Sequence, residues 1–352
     1  MSKKNIILII IVLLLGGLLF FINYATGAVD KNDHTSRNFE IKKDTSGDAV
    51  INDLKTSEFI KNSEFAKLYI RISHKNNFKA GVYELKKDQN LIQIINHLNN
   101  ADNITGVSLT FVEGKRLTDY GDVISEKLNI TKEAFLKKCN DVNFINNLKT
   151  KYEILKDFNF NNKELYLLEG LLAPDTYVVN DKISVDELIE RMISQSNKIY
   201  LANKKAIDKS KLNVHDIYTL ASIIELEANN YEDRMIVASV FMNRIKDHTP
   251  LGSDVTTYYG LQISMAARDL TKSELAQNNG YNTRSNMLGL PIGPIGAPST
   301  NSIRAVLNYK ETSYLYFVSD KNGKIYPAKT YAEHNKIIED LKNKNLWFTY
   351  DN

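Results

Sequence analysis

The sequence predicts an α+β fold in two parts, with one transmembrane helix at the N-terminus. Three observations lead to this prediction. A long apolar run lies within the first 24 residues, patterns typical of helices and of strands are mixed along the remaining chain, and no internal repeat is found. The length of 352 residues suits about two domains of roughly 100–200 residues each.

Composition narrows the classes of function. The apolar fraction of 43% and the charged fraction of 25% are ordinary for a folded globular protein. The 45 basic and 42 acidic residues leave a net charge of +3, and no basic cluster stands out. Because nucleic-acid binding needs a clustered basic face, the sequence predicts no nucleic-acid partner.

Residues 6–22 form an unbroken apolar run of 17 residues, at the short end of the roughly 17–25 that span a bilayer. Lys3 and Lys4 precede this run, and acidic residues follow it. Since positive residues stay on the cytoplasmic side, we expect a single-pass protein of the cell membrane with an extracytoplasmic domain. A cleaved signal peptide is the alternative, because the small residues of 25–28 could form a cut site.

The remaining chain divides by composition and periodicity. We expect an anchor at 1–24, a polar linker at 25–47, a small α+β module at 48–105 and a larger α+β domain at 106–352. The module should contain helices near 51–60 and 91–98, a second element of unassigned type at 65–72, and a turn and strand at 78–85. The larger domain should contain strands at 106–112 and 314–318 and a turn-rich stretch at 167–177 that ends in a strand. Its helices are expected at 117–128, 133–152, 185–199, 213–227, 233–245 and 331–341. Residues 249–298 are rich in Gly and Pro and are predicted to form a long loop.

Cysteine and histidine usage predicts neither a metal nor another cofactor. The one cysteine, Cys139, lies in a predicted helix and is interpreted as a buried core residue. The six histidines are scattered and form no H-x-x-x-H pair, the spacing typical of zinc ligands on a helix.

The helix predicted at 213–227 contains the main candidate for chemistry. Glu227 shares a helical face with Leu220, Ile223 and Ile224, whereas Glu225 lies about 200° around the axis at roughly 100° per residue. A carboxyl among apolar side chains is desolvated, so its pKa should rise, as a general acid requires. The alternative is a helix-terminal glutamate that curls back into solvent.

The long loop after this helix supports the catalytic interpretation. It combines prolines with Tyr258, Tyr259 and Tyr281, and with several amide side chains. Aromatic faces and amides suit the apolar faces and hydroxyl edges of sugar rings. Long loops are usually functional or disordered, although a structural loop remains the alternative.

Several motifs in order resemble the endolytic murein transglycosylase (YceG-like) family. The resemblance covers nearly the whole chain from the anchor onward. It is carried by Phe78-Lys79-Ala80-Gly81-Val82-Tyr83, Val112-Glu113-Gly114, Leu168-Glu169-Gly170, Leu220-Ala221-Ser222-Ile223-Ile224-Glu225-Leu226-Glu227, Tyr281-Asn282-Thr283 and Gly289-Leu290-Pro291. The first of these motifs is similar to the family's LysM-like module, which fits the predicted small α+β module. The second glutamate of the family's helix motif is catalytic, and it corresponds to Glu227.

The resemblance and the loop composition together predict the sugar contacts. These are Asn243, Asp254, Thr256, Tyr259, Tyr281, Asn282, Thr283 and Pro291. The chain departs from the family pattern near several of them. Gly252 and Val255 replace the usual Gln and Pro of L-Q-x-D-P-T, and Arg284 replaces the second Tyr of Y-N-T-Y. These changes leave Glu227 intact.

The resemblance implies a lytic transglycosylase that cuts nascent peptidoglycan strands between N-acetylmuramic acid and N-acetylglucosamine and leaves 1,6-anhydro ends. Its partners would be glycan strands and the membrane, with a contact to the cell-wall synthesis machinery left open. Two alternatives are a non-catalytic wall-binding scaffold and a hydrolytic muramidase. A muramidase needs a second carboxylate, for which Asp254 and Asp233 are the candidates.

Overall fold

The computed structural model describes residues 3–42, 44–284 and 287–347. The chain divides into two compact units. The first comprises the chain up to Leu109 together with Tyr177–Ile183, and the second comprises Thr110–Thr176 and the chain from Ser184 onward. The predicted division into domains after residue 105 stays a prediction. It did not anticipate the short segment Tyr177–Ile183.

The first unit is a mixed helix and strand structure. Its elements are α1 (Lys3–Thr26), β1 (Arg37–Ile41), α2 (Gly47–Thr56), α3 (Ser63–Ile72), β2 (Gly81–Leu85), α4 (Leu91–Asn99), the 3-10 turn Ala101–Asn103, β3 (Gly106–Thr110) and β4 (Thr176–Asn180). Strands β1 and β2 pair antiparallel, and β3 pairs with β4. The last residue of β3 and the first of β4 belong to the second unit.

Helix α1 is long and apolar enough to cross a membrane. Its window Ile9–Thr26 has a mean hydropathy of 2.3, and the large apolar side chains of residues 9–22 are exposed, Phe20 by 76%. At its C-terminal end the ring of Phe21 contacts that of Phe65 in α3, with centroids 6.1 Å apart. An exposed apolar helix of this length fits a bilayer anchor, and a signal sequence has the same composition.

The core of the first unit begins inside the segment predicted to be a linker. Phe39 and Ile41 of β1 are buried against α2 and α4, and Phe39 is in register with Tyr83 of β2. The structure therefore differs from the predicted linker 25–47 at Arg37–Ile41. This strand has only two apolar residues, Phe39 and Ile41, in a polar stretch, so its pattern was not distinguished from that of a linker.

The second unit is mostly helical. Its elements are α5 (Leu117–Lys127), α6 (Lys132–Cys139), α7 (Val142–Lys151), α8 (Glu153–Asp157), α9 (Val185–Ile207), α10 (Val214–Glu227), α11 (Tyr231–Lys246), α12 (Asp254–Gly260), α13 (Lys272–Leu275), α14 (Thr300–Asn308), β5 (Tyr316–Ser319), β6 (Ile325–Ala328) and α15 (Tyr331–Asn343). Strands β5 and β6 form an antiparallel pair. The mixed α+β class predicted from the sequence is confirmed.

Three local predictions in the second unit need correction. The single helix predicted at 133–152 is two helices, because the Asp141 side chain accepts hydrogen bonds from Asn143 N and Phe144 N and so caps the start of α7. The predicted loop 249–298 contains α12 and α13, and the sequence did not predict α14 or β6. Cys139, the last residue of α6, is fully buried.

Removal of residues 1–24 should leave a soluble, folded protein. The cores of both units lie beyond Tyr24, and the segment removed is apolar and exposed. Circular dichroism and gel filtration without detergent would test this. A longer deletion, of residues 1–41, is the contrast: it also removes β1, so the first unit should lose cooperative unfolding. Failure of the shorter variant to fold would show that α1 supports the fold.

Candidate active site

The candidate site is built around α10. Asn213 caps its start by accepting from Asp216 N at 2.9 Å, and the chain turns extended at Ala228, immediately after Glu227. The sequence predicted a helix here with one apolar face, but α10 is buried on all sides. Its buried residues are Val214, His215, Ile217, Tyr218, Thr219, Leu220, Ala221, Ser222, Ile223 and Ile224. Other elements of the second unit cover every face, a condition that the pattern of one helix does not reveal.

Sequence motifs that are far apart meet against α10. Gly114 N donates to Ala297 O at 2.8 Å, and Ala297 N donates to Lys115 O at 2.9 Å. Ile295 N donates to the Ser222 hydroxyl of α10 at 3.0 Å. Gly170 has φ +76°, and a Cβ there would lie 2.6 Å from Pro294, so glycine is required on both conformational and steric grounds.

The two glutamates at the end of α10 have different partners. Glu225 forms an ion pair with Arg234 of α11 at 2.6 Å, with 6% and 11% of the two side chains exposed. Its second oxygen accepts from Ser299 N, the cap of α14, at 2.8 Å. Glu225 therefore joins α10, α11 and α14 and serves the fold.

Glu227 makes no ion pair within the described part of the chain. It is half-buried, and its Oε1 accepts a hydrogen bond from the Ser253 hydroxyl at 2.5 Å. Burial raises the pKa of the Glu227 carboxyl, and the charge of Asp254 raises it further. The Ser253 hydrogen bond opposes this rise, as do Arg284 and Arg244 at longer range. The negative end of the α10 dipole acts in the same direction as burial.

The turn that carries Ser253 is fixed by threonine hydroxyls. Thr256 Oγ1 donates to Ser253 O at 2.7 Å, and Ser253 N donates to Thr283 Oγ1 at 3.1 Å. The two threonine hydroxyls lie 2.9 Å apart. Gly252 N donates to Thr283 O at 3.0 Å. This network joins the start of α12 to the 281–284 segment and sets where the Ser253 hydroxyl lies.

A second carboxyl, Glu169, is buried with 1% exposure. Its oxygens accept from Leu117 N at 3.1 Å and from the Tyr259 hydroxyl at 3.0 Å. Burial raises the pKa of Glu169 to about 8, although both hydrogen bonds lower it. Glu169 thus connects the start of α5 with α12. The sequence placed it in a motif but gave no sign of this burial.

The predicted sugar contacts fall into two groups. Five are buried and already bonded within the protein or packed in it: Thr256, Tyr259, Tyr281, Asn282 and Thr283. Pro291 is also buried, and Asn243 donates to Thr312 O and Tyr314 O at 3.0 and 2.9 Å. Asp254 is exposed and is paired with Arg284. Direct contact of these residues with sugar stays a prediction.

The other candidate carboxylate, Asp233, is engaged in the fold. It accepts from Asn230 Nδ2 at 2.8 Å and from Ile325 N at 3.3 Å. Among the described residues, no three His, Cys, Asp or Glu side chains are grouped as metal ligands would be. The sequence did not identify Ser253, because it lies in the segment predicted to be a loop and nothing in the local sequence indicates a bond to Glu227.

The geometry defines a mixed α+β protein with one desolvated carboxyl, unpaired with any described cation, at the end of a buried helix. The raised pKa of such a group is in the direction that a general acid requires. The chain belongs to the YceG-like family, whose profile matches residues 39–340.

Individual relatives agree with this family. The chain is 35% identical over 320 residues to an endolytic murein transglycosylase of Bacillus subtilis, covering 90% of this chain and 88% of the relative. It is 28% identical to an endolytic murein transglycosylase of Streptococcus pneumoniae, covering 83% of this chain and 56% of that longer protein. A crystal structure of a YceG-like protein from Listeria monocytogenes superposes with a TM-score of 0.60 at 30% identity, covering 86% of this chain and 99% of that one.

Glu225→Gln should lower the free energy of unfolding by about 3 kcal/mol, because loss of one partner leaves the other charge of a buried pair uncompensated. Urea unfolding followed by circular dichroism would measure it. The expected loss rests on the contacts of Glu225 with Arg234 and with Ser299 N. Unchanged stability in the variant would mean that the ion pair does not support the fold.

Glu169 should make stability depend on pH. Its pKa is raised to about 8 in the folded protein from about 4.3 when unfolded. Its contribution is therefore fully present below about pH 4.3 and is lost as pH rises through about 8. We expect the free energy of unfolding of the wild type, measured from pH 5 to 9, to fall relative to that of Glu169→Gln as the pH rises. Parallel curves would contradict this assignment.

Proposed function

We propose that this protein is a membrane-anchored endolytic murein transglycosylase. The carrying observation is the contrast at the end of α10: Glu225 is held in a buried ion pair, while Glu227 is desolvated and bonded to a hydroxyl. Relatives that cover most of the chain have the same named activity. The anchor is α1, and the catalytic unit lies outside the cell membrane, as the lysines before the apolar run indicate.

In the proposed reaction Glu227 acts twice. The protonated carboxyl first gives its proton to the glycosidic oxygen between N-acetylmuramic acid and N-acetylglucosamine, and the C1–O bond breaks. The resulting carboxylate then takes the proton of the muramic acid 6-hydroxyl as that oxygen bonds to C1. The product is a 1,6-anhydro end, the proton returns to Glu227, and no water is consumed. Attack by a hydroxyl of the same sugar gains from proximity.

The surroundings of Glu227 favour this one-carboxylate route over hydrolysis. An inverting or retaining hydrolase uses two carboxylates. Asp233 is engaged by Asn230 and Ile325, and Asp254 is paired with Arg284. The desolvation of Glu227 also argues against a scaffold, because a protein without chemistry gains nothing from a carboxyl in this position.

The remaining assignments are parts of the same proposal. The first unit, with its β1–β2 pair and three flanking helices, serves as the LysM-like glycan-binding module. The buried threonines and tyrosines predicted as sugar contacts act by shaping the loop, and Asp254 is the exposed member of that set. A contact with the cell-wall synthesis machinery stays a prediction.

Glu227→Gln should abolish cleavage of purified glycan strands. Gln keeps the size of Glu but cannot exchange the proton, and general acid–base assistance is worth about 10²–10⁴-fold. Since the pKa of Glu227 is raised on folding, the variant should be at least as stable as the wild type at neutral pH. Product analysis by mass spectrometry would check activity, and urea unfolding would check stability.

The matched control is Glu126→Gln on α5, an exposed glutamate that should retain full activity. Anhydro ends in the wild-type digest support the transglycosylase, and reducing ends would indicate a hydrolase. Full activity in Glu227→Gln would refute the assignment of the acid. An absence of products from the wild type would favour the scaffold.

A further inference from the structure

Ser253 is in an unusual position for a cap residue. It stands immediately before α12, with φ −93° and ψ 122°, yet its side chain makes no capping hydrogen bond to that helix. Serine is favoured at N-caps because its oxygen accepts from the first free N–H groups. Here the hydroxyl instead donates to Glu227 Oε1 at 2.5 Å. Ser253 therefore does not cap α12 through its side chain, and its hydroxyl contacts the candidate acid, Glu227, instead.

The hydroxyl has little freedom to move elsewhere. Ser253 is 3% exposed. Its N–H donates to Thr283 Oγ1, and its C=O accepts from Thr256 Oγ1 at 2.7 Å. Because both backbone groups of Ser253 are held by hydrogen bonds, the position of its side chain is fixed. The 2.5 Å distance from its hydroxyl to Glu227 Oε1 is typical of a strong, charge-assisted hydrogen bond.

We propose that Ser253 is a positioning residue whose hydroxyl holds Oε1 of Glu227, so that Oε2 is the oxygen that exchanges its proton with the glycan. This inference rests on the function proposed above. The hydroxyl stabilises the carboxylate more than the acid, because a donated hydrogen bond is stronger to an ionised acceptor. Ser253 therefore promotes the second half of the reaction, in which Glu227 must be a carboxylate.

Three charged groups around Glu227 also change the pKa of its carboxyl. Asp254 of α12 raises the pKa of the Glu227 carboxyl, while Arg284, from the segment after Asn282, and Arg244 of α11 lower it. Ser253 adds the direct hydrogen bond, which lowers the pKa more than any of these charges changes it. Removal of that hydroxyl should therefore raise the pKa of Glu227 while the charged groups stay in place.

Ser253→Ala should move the alkaline limb of the kcat/KM profile upward by about one pH unit, because the loss of one charge-assisted hydrogen bond is comparable to one pKa unit. The direction follows because the acid must be protonated at the start of the reaction. We also expect kcat to fall by on the order of tenfold from lost orientation. KM should change little, since Ser253 contacts Glu227 and not sugar.

Two further variants separate this role from a purely structural one. Ser253→Cys keeps the volume but is a weak donor, so it should shift the limb as alanine does even if the alanine variant folds poorly. Thr257→Val removes a hydroxyl of α12 that donates to Asn282 Oδ1 at 2.7 Å rather than to Ser253 or Glu227. It should lower stability or rate and leave the limb where it is.

The pKa of Glu227 can also be measured directly in the full-length protein in detergent. Carbon-13 NMR of glutamate-labelled protein would follow the carboxyl, which is assigned by its absence from Glu227→Gln. A raised pKa in both Ser253 variants and an unmoved value in Thr257→Val support the inference. An unmoved pKa in both Ser253 variants overturns it and leaves the proposed function standing. The proposed function fails separately, if the wild type gives no anhydro products, and the assignment of Glu227 as the acid fails if Glu227→Gln still cleaves glycan.

Discussion

Helix α10 is buried on every side and ends in a residue with a carboxyl group, Glu227. This end of the helix is the constraint on which the second unit depends. The end of a helix leaves carbonyl oxygens without partners, and burial makes each one costly. The protein solves part of this with Arg234, whose Nε donates to Ala228 O at 2.9 Å while its Nη2 reaches Glu225. The same side chain donates from Nη1 to the Ser299 hydroxyl at 2.9 Å. The Arg234 guanidinium thus donates hydrogen bonds at the end of α10 and links that end to α11 and α14.

This arrangement explains why two glutamates two residues apart can have separate tasks. The charge of Glu225 is balanced by Arg234, and its second oxygen accepts from Ser299 N, so Glu225 fixes the position of the helix end. Glu227 is left with one hydroxyl and a desolvated environment, which is unfavourable for folding and useful for proton transfer. Sites of this kind are stable because neighbouring groups over-determine them. Here the over-determination comes from the Arg234 contacts on one side and from the Thr256–Thr283 network on the other.

The sequence predicted much of the fold because its signals are local. The apolar run of α1, the periodicity of α4 and α9, and the candidate acid of α10 all follow from residue spacing. The sequence did not predict that α10 is buried on all sides, since that depends on segments as distant as Gly114 and Ile295. The partners of Glu225 and the contact of Ser253 with Glu227 were invisible for the same reason. A serine before Asp254 is typical of a capping residue, and only the folded turn shows that its hydroxyl points elsewhere.

The single cysteine gives the chain a practical property. Cys139 is fully enclosed at the end of α6, and burial raises the pKa of its thiol well above the ordinary range. A thiol in that state is neither a nucleophile nor open to reagents. A cysteine introduced at any exposed position would therefore be the one reactive thiol of the molecule. Fluorophores, spin labels or cross-linkers can be attached at chosen points on either unit without first removing a native residue, which makes distances within this protein directly measurable.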